Sequence, residues 1–449
     1  MDGLEGYIAA LRDRCAVLPD RRTGRNGRYT MADIGLAAFS VFFMQSPSFL
    51  AHQRSLAEGP GRGRSNAHTL SGMTAIPSDN HLRAMLDGVP PDHIDPVFAT
   101  ILRDLDARGG LEAMRCLEGR VLTALDGSEH FCSRKLSCPH CSTRKRADGA
   151  VKYFHGFVGA TLVAPGHKTV LPLPPEFVRP QDGAAKQDCD TVAAKRWLAR
   201  LGPAYAWLKP VYLGADLYAR QPLCQALQAV GGHFLLVCKP SSHKTLAEDL
   251  TGVELDSLTE TEGRGAEKRV YRYRWMSGVP LRDGDDALTV NWLEVEISKP
   301  GATKPTCRSS FVTDLPVSRA SVADLAACGR ARWKIENETF NVLKTVGYHR
   351  EHNFGHGKDT LAGVLVEEYP EFRARRGYPD RPMTACGAVP YPADLEHISH
   401  RIPSDPAVSR QLQIQVSPFI DDTAHAVAAR LADQNPMPQC VWTWWASGK

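Results

Sequence analysis

GRARWKIENETFNVLK, Gly329 to Lys344, is the stretch on which the reading of this chain turns. Its apolar residues Trp333, Ile335, Phe340, Val342 and Leu343, continued by Val346, lie around much of a helix's circumference. That spacing predicts a packed helix from Arg330 to Val346 rather than a solvated one. Glu336 sits inside it, one helical turn after Arg332. A carboxylate on a packed helix needs a cation beside it, either a metal or a basic side chain, because an unpaired buried charge is costly.

Two aspartates upstream complete a candidate constellation. Asp126 ends the apolar run RVLTALDG and Asp216 ends the run PVYLGADLY, so both are expected at strand ends. Hard Mg²⁺ (or Mn²⁺) takes oxygen ligands and keeps several waters, so one or two carboxylates per ion suffice. Two such ions about 4 Å apart activate an attacking oxygen and stabilise a leaving one, with no protein nucleophile required. Each residue also has a plainer reading. Asp126-Gly127 is a hairpin-turn dipeptide, Asp216 an ordinary strand-end residue, and Arg332 with Glu336 an i,i+4 surface ion pair.

Two strand-end aspartates followed by a helix-borne glutamate is the order in which RNase H-like folds build a two-metal phosphodiester-cutting site. The Gly329–Lys344 stretch resembles the signature of bacterial insertion-sequence transposases of the DDE class, Tyr-x2-Arg-x3-Glu-x6-Lys along one helix. Arg332 and Glu336 match it, Gly329 stands at the tyrosine position, and Lys344 falls one residue late behind Leu343. That departure points to the group called ISNCY, which the chain also resembles in Gly347–His349 and in EHNFGHG, Glu351 to Gly357. The resemblance reaches back through GADLYARQPLC (Gly214–Cys224), KQDCDTVAAKRWL (Lys186–Leu198) and SVFFMQSPSFLAHQR (Ser40–Arg54), and covers roughly residues 15 to 365.

What it implies is a DNA transposase: metal-dependent cleavage of element ends and strand transfer into target DNA, with Asp126, Asp216 and Glu336 as catalytic Mg²⁺ ligands. Arg332 and Lys344 would hold phosphates. The implied partners are double-stranded DNA, as terminal inverted repeats and target, and a second copy of the chain in a synaptic homodimer, in the bacterial cytoplasm at the nucleoid. A catalytically decayed remnant that binds DNA and inhibits or regulates an intact relative is the alternative.

The composition is compatible with this. A chain of 449 residues is long enough for two or three domains. A net charge of +4 is modest, so DNA binding has to rest on local patches. Three stand out: Arg21, Arg22, Arg25 and Arg28; Arg134, Lys135, Arg144, Lys145 and Arg146; and Arg330, Arg332 and Lys334. Phosphate contact and a solvated loop are both open for each. The amino terminus lacks a basic-then-apolar signal, and the apolar run Ile34–Met44 is shorter than the ~20 residues of a membrane span. It reads as a buried helix opened by Thr30 and Asp33.

Twelve cysteines without an export signal point to thiols or metal ligands rather than disulfides. Cys138-Pro-His-Cys141 offers two of the four ligands of a structural Zn²⁺ site, with His130, Cys132, His140, His155, Cys238 and His243 as available partners. Plain core cysteines are the other reading. His349, His352 and His356 are read as loop residues, since Gly347, Gly355 and Gly357 break any helix there, with DNA contact and metal ligation both open.

The expected architecture is α/β: an RNase H-like catalytic core with a β-rich insertion, preceded by an all-α N-terminal domain. Residues 1–115 read as helical and, through the resemblance, as DNA-binding. Residues 116–365 form the catalytic domain, with a basic cysteine-containing loop at 132–152 and the insertion at 265–318. Strands are expected at Val121–Leu125, Ala150–Val163, Lys168–Leu173, Pro210–Gly214 and His233–Cys238, and helices at Asp188–Arg200 and Gln221–Val230. From Val366 the chain becomes Pro- and Arg-rich, with ten of its 31 prolines from Pro370 onward. Where the resemblance predicts a long apolar helix, this atypical 366–449 tail reads either as a frameshifted end or as a genuine variable tail.

Overall fold

The computed structural model describes residues 3–24, 27–58, 72–73, 76–180, 188–345 and 348–367. The 366–449 tail therefore lies outside the described residues, apart from the end of the last helix.

The amino-terminal part is helical: α1 (Gly3–Ala16), α2 (Met31–Phe43), α3 (Phe49–Glu58), α4 (Asp79–Leu86) and α5 (Asp95–Ala107). Thr30 and Asp33 close a reciprocal capping box at the start of α2, with Asp33 N donating to Thr30 Oγ1 at 3.1 Å and Thr30 N to Asp33 Oδ2 at 2.9 Å. The helix is apolar all round because it is central, with Ile34, Leu36, Val41 and Phe42 all buried. Its surroundings include Leu11, Phe49, Leu86 and Phe98, and also Leu343, Tyr348, Phe354 and Leu361 from far along the chain. None of the helices among the described residues is long and apolar enough to cross a membrane.

From Arg115 the chain builds one mixed sheet of eleven strands. They are β1 (Arg115–Cys116), β2 (Arg120–Ser133), β3 (Ser142–Lys145), β4 (Val151–Val163), β5 (Leu171–Phe177), β6 (Pro210–Gly214), β7 (His233–Val237), β8 (Asp256–Glu262), β9 (Arg269–Pro280), β10 (Thr289–Ser298) and β11 (Cys307–Thr313). The pairing runs β3-β4-β2-β6-β7-β11-β10-β9-β8, with β5 also on β4 and β1 on β2. β2, β6 and β7 are mutually parallel, while β4 is antiparallel to β2 and to β5. Helices α6 (Asp190–Tyr205) and α7 (Gln221–Ala229) supply the crossovers that parallel neighbours require, and a short α8 (Lys244–Asp249) follows β7.

Alternate residues of β2 serve opposite faces of the sheet. Val121 and Leu125 pack with α6 and α7, while Leu122 and Ala124 pack with the helical segment beginning at α9 (Val322–Arg330). Both faces are covered, which is why the run reads as continuously apolar.

Several expectations need correcting. β2 continues to Ser133 straight through Asp126-Gly127, which is strand and not a hairpin turn. The strand expected at Lys168–Leu173 lies at Leu171–Phe177, where Pro172, Pro174 and Pro175 are tolerated because only β4 pairs with it. The 265–318 segment extends the sheet through β11 on β7, with Phe311 opposite Val237. The expected Arg330–Val346 helix begins at Val322 and is not uniformly α. A 3₁₀ turn at Ala331–Trp333 leads into a π-helical stretch at Ile335–Phe340 and then α10 (Asn341–Thr345). Trp333 is 45% exposed rather than packed. The last described helix is α11 (Leu361–Glu367).

Candidate active site and Cys/His cluster

Asp126 follows Leu122 and Ala124 on the β2 face beneath the Val322–Thr345 helical segment. Two contacts seat that segment on the sheet. Phe340 lies over Gly159, the β4 partner of Asp126, and Thr339 Oγ1 is 3.4 Å from Thr161 Oγ1. Glu336 is carried on the π-helical turn, a feature often found at functional sites. The side chains meet through Arg332, whose Nη1 lies 3.0 Å from Asp126 Oδ2 and 2.9 Å from Glu336 Oε1.

Asp126 and Arg332 are largely enclosed, at 18% and 19% side-chain exposure, whereas Glu336 is open at 53%. The burial foreseen for Glu336 is thus not found. Burial raises the Asp126 pKa against the attraction of Arg332, and Glu336 adds to the rise. Burial also works against ionisation of Glu336, but hydrogen bonds from Arg332 and Asp126 outweigh it and lower the Glu336 pKa. A shared proton is thus drawn towards Asp126.

Asp216 stands in a 3₁₀ turn just past β6, whose Gly214 is level with Leu125 on β2. Its carboxylate accepts from Lys239 N at 2.6 Å and from the Ser242 hydroxyl, with His243 Nε2 3.6 Å away. It therefore holds the loop after β7, and the three carboxylates do not converge on one point.

Two neighbours escaped the sequence reading. Asp190, at the start of α6, presses against Gly127 so closely that a Cβ there would clash with its carboxylate. Burial raises its pKa, with Asp188 and Glu129 contributing. Tyr218 is fully buried, its hydroxyl lacks a hydrogen-bond partner among the described residues, and its pKa is pushed up by burial and then by Asp190 and Asp126. The Asp-x-Tyr spacing of Asp216 and Tyr218 was the available signal.

The basic residues divide. Arg144, Lys145 and Arg146 are exposed on and just after β3, with Arg144 Nη2 2.6 Å from Glu129 Oε1. Lys344 Nζ is 3.2 Å from Glu351 Oε1. Lys334, grouped with a DNA-facing patch, is buried instead and donates to the carbonyls of Ala164 and His167. Arg350 is likewise fully buried, between the Phe157 and Phe340 rings at 5.0 and 5.1 Å.

Cys138 and Cys141 lie with their sulfurs 3.8 Å apart, and His155 Nε2 is 3.4 and 3.6 Å from them. His356 Nε2 lies 3.1 Å from Cys141 Sγ, so this histidine faces the cysteines rather than DNA. Cys132, His130, His140, Cys238 and His243 are not in the group.

No protein-family model matches the chain. Nor does any curated protein. Among solved structures, the cryo-EM structure of the piggyBac transposase synaptic complex with hairpin DNA is similar at 9% identity and a TM-score of 0.36, covering 92% of this chain and 77% of that one. That likeness is too distant to argue from.

Proposed function

We propose that this chain is a DNA strand-cleaving and strand-transferring enzyme of the DDE type, an insertion-sequence transposase built on an RNase H-like core. The observation that carries this reading is the meeting of Asp126 and Glu336, 210 residues apart, across one arginine at the carboxyl end of the parallel β2–β6 pair. The pairing β5-β4-β2-β6-β7, three antiparallel strands followed by two parallel ones reached through helices, also supports it. So does the placement of Asp216 just beyond β6.

Asp126 and Glu336, which face each other across the Arg332 guanidinium, offer the oxygen donors that a hard divalent cation takes, whereas Asp216 is held apart at the loop after β7. Mg²⁺ or Mn²⁺ held by Asp126 and Glu336, with Asp216 joining them once released from Lys239 N and Ser242, would supply an activated water or 3′ hydroxyl and stabilise the leaving oxygen. The protein's own residues orient the reaction. Arg332 keeps the two carboxylates together, and the exposed Arg144, Lys145 and Arg146 with Lys344 give sequence-independent phosphate contacts to duplex DNA. Transfer at paired ends would engage a second copy of the chain.

A DNA-binding remnant without cleavage is favoured by one observation, the commitment of the Asp216 carboxylate to Lys239 N and Ser242. Incubating the full chain with duplex DNA from the flanks of its own coding region, with Mg²⁺ or Mn²⁺, separates the two. Metal-dependent nicks that disappear in Asp126→Asn support the enzyme. Near-normal cleavage by Glu336→Gln overturns the site, and binding without cleavage under any divalent metal favours the remnant.

A further inference from the structure

We infer that Cys138, Cys141, His155 and His356 form a closed, tetrahedral structural zinc site that pins the segment following the Glu336 helix to the β2–β4 part of the sheet. With Zn–S near 2.3 Å and Zn–N near 2.0–2.1 Å, a tetrahedral ion separates two sulfurs by about 3.8 Å and a sulfur from a nitrogen by about 3.5 Å. The sulfurs of Cys138 and Cys141 are 3.8 Å apart, and three of the four sulfur–nitrogen separations, those of His155 to both sulfurs and of His356 to Cys141, are 3.4, 3.6 and 3.1 Å. All four ligand atoms lie within 4.8 Å of one another.

The local structure suits such ligands. Cys138 and Cys141 close a turn, with Cys141 N donating to Cys138 O at 3.1 Å. Cys138 N points at Cys141 Sγ at 3.3 Å, a contact that stabilises a thiolate. His155 comes from β4, opposite Phe131 of β2, and Phe131 packs edge-on against the His356 ring at 4.7 Å. A disulfide would need the sulfurs about 2.05 Å apart, and it would leave no role for two imidazoles aimed at them. Two thiolates and two imidazoles suit zinc rather than a hard cation, and four protein ligands leave no open position for catalysis.

The link is long-range, since His356 is 215 residues from Cys141. It fixes the chain just beyond Arg350 and Phe354, whose side chains pack against Phe340 and within the helical core respectively. The site thus ties the segment after the Glu336 helix to the β3-β4-β2 edge of the sheet without drawing on Asp126, Asp216 or Glu336.

Metal analysis of the full chain, expressed in zinc-supplemented medium, tests the assignment. We expect one zinc per chain, lost in Cys138→Ser and His356→Ala and retained in His140→Ala, whose ring is outside the group although it lies within the Cys-x2-Cys turn. If those losses came only from misfolding, His356→Cys decides. Its cobalt-substituted form should keep a tetrahedral visible spectrum with stronger thiolate-to-cobalt charge transfer. Absence of zinc, full zinc in His356→Ala, or a His356→Cys cobalt spectrum identical to wild type would each overturn the site.

Discussion

Phe340 occupies the space that a side chain on Gly159 would need: a Cβ built there falls 2.9 Å from the Cε1 and Cζ atoms of the ring. Gly159 is the β4 partner of Asp126, so this close approach sets how near the Glu336 helix comes to the sheet. Gly159→Val is expected to push the π-helical turn outward and cost about 1–3 kcal/mol in overpacking. Thermal melting and cleavage assays check this, and cleavage should fall more than DNA binding does. Unchanged cleavage in a destabilised Gly159→Val protein would uncouple the contact from the site.

Arg332 is the cation between two carboxylates. Arg332→Gln leaves Asp126 and Glu336 facing each other unneutralised, and stability in chelator is expected to drop by about 1–3 kcal/mol. Mg²⁺ should then raise the melting temperature of the variant more than that of the wild type, since an ion that binds only the native state stabilises it by mass action. Equal Mg²⁺ responses in the two proteins would argue against a cation-binding space there.

Arg350 donates to Ser128 Oγ and to the Glu129 carbonyl while stacked between Phe157 and Phe340. Arg350→Ala should cost about 2–5 kcal/mol, because both the packing and the hydrogen bonds to β2 are lost. Lysine should not rescue it, since the planar guanidinium makes the stack. Urea denaturation midpoints give the ranking, and a neutral Arg350→Lys would contradict it.

His52 is 4% exposed and bonded to Ser40 Oγ at 2.8 Å and Ser46 Oγ at 2.9 Å. Burial lowers its pKa from 6.5 to about 4. The unfolded chain therefore binds a proton that the native helical core refuses. The group leaves stability untouched above pH 6.5 and lowers it as pH falls from 6.5 to 4, so that below pH 4 the loss totals about 3 kcal/mol. Chemical denaturation at pH 7 and pH 4.5 should show a drop that His52→Gln reduces by about 2–3 kcal/mol, the buried His130 and His155 contributing to the rest. An unchanged drop in the variant would place the acid sensitivity elsewhere.

What the sequence determined by itself is local. The Thr30–Asp33 cap, the apolar runs of β2 and β6 and the Gln221–Ala229 helix are legible because caps and periodicity act among residues a turn or a strand apart. The positions of Asp126 and Asp216 at the ends of such runs follow from the same signals. β8 was not legible, for its Asp256–Glu262 sequence is polar and its order comes from pairing with β9. Lys334 looked like a surface cation and is buried, because two carbonyls near Ala164 happen to lie above the helix. Asp190 against Gly127, and His356 beside Cys138 and Cys141, are likewise decided by tertiary structure. A carboxylate or imidazole carries no local sign of which distant chain will meet it; the packing of the helical segment onto the sheet makes that choice, across separations that no periodicity spans.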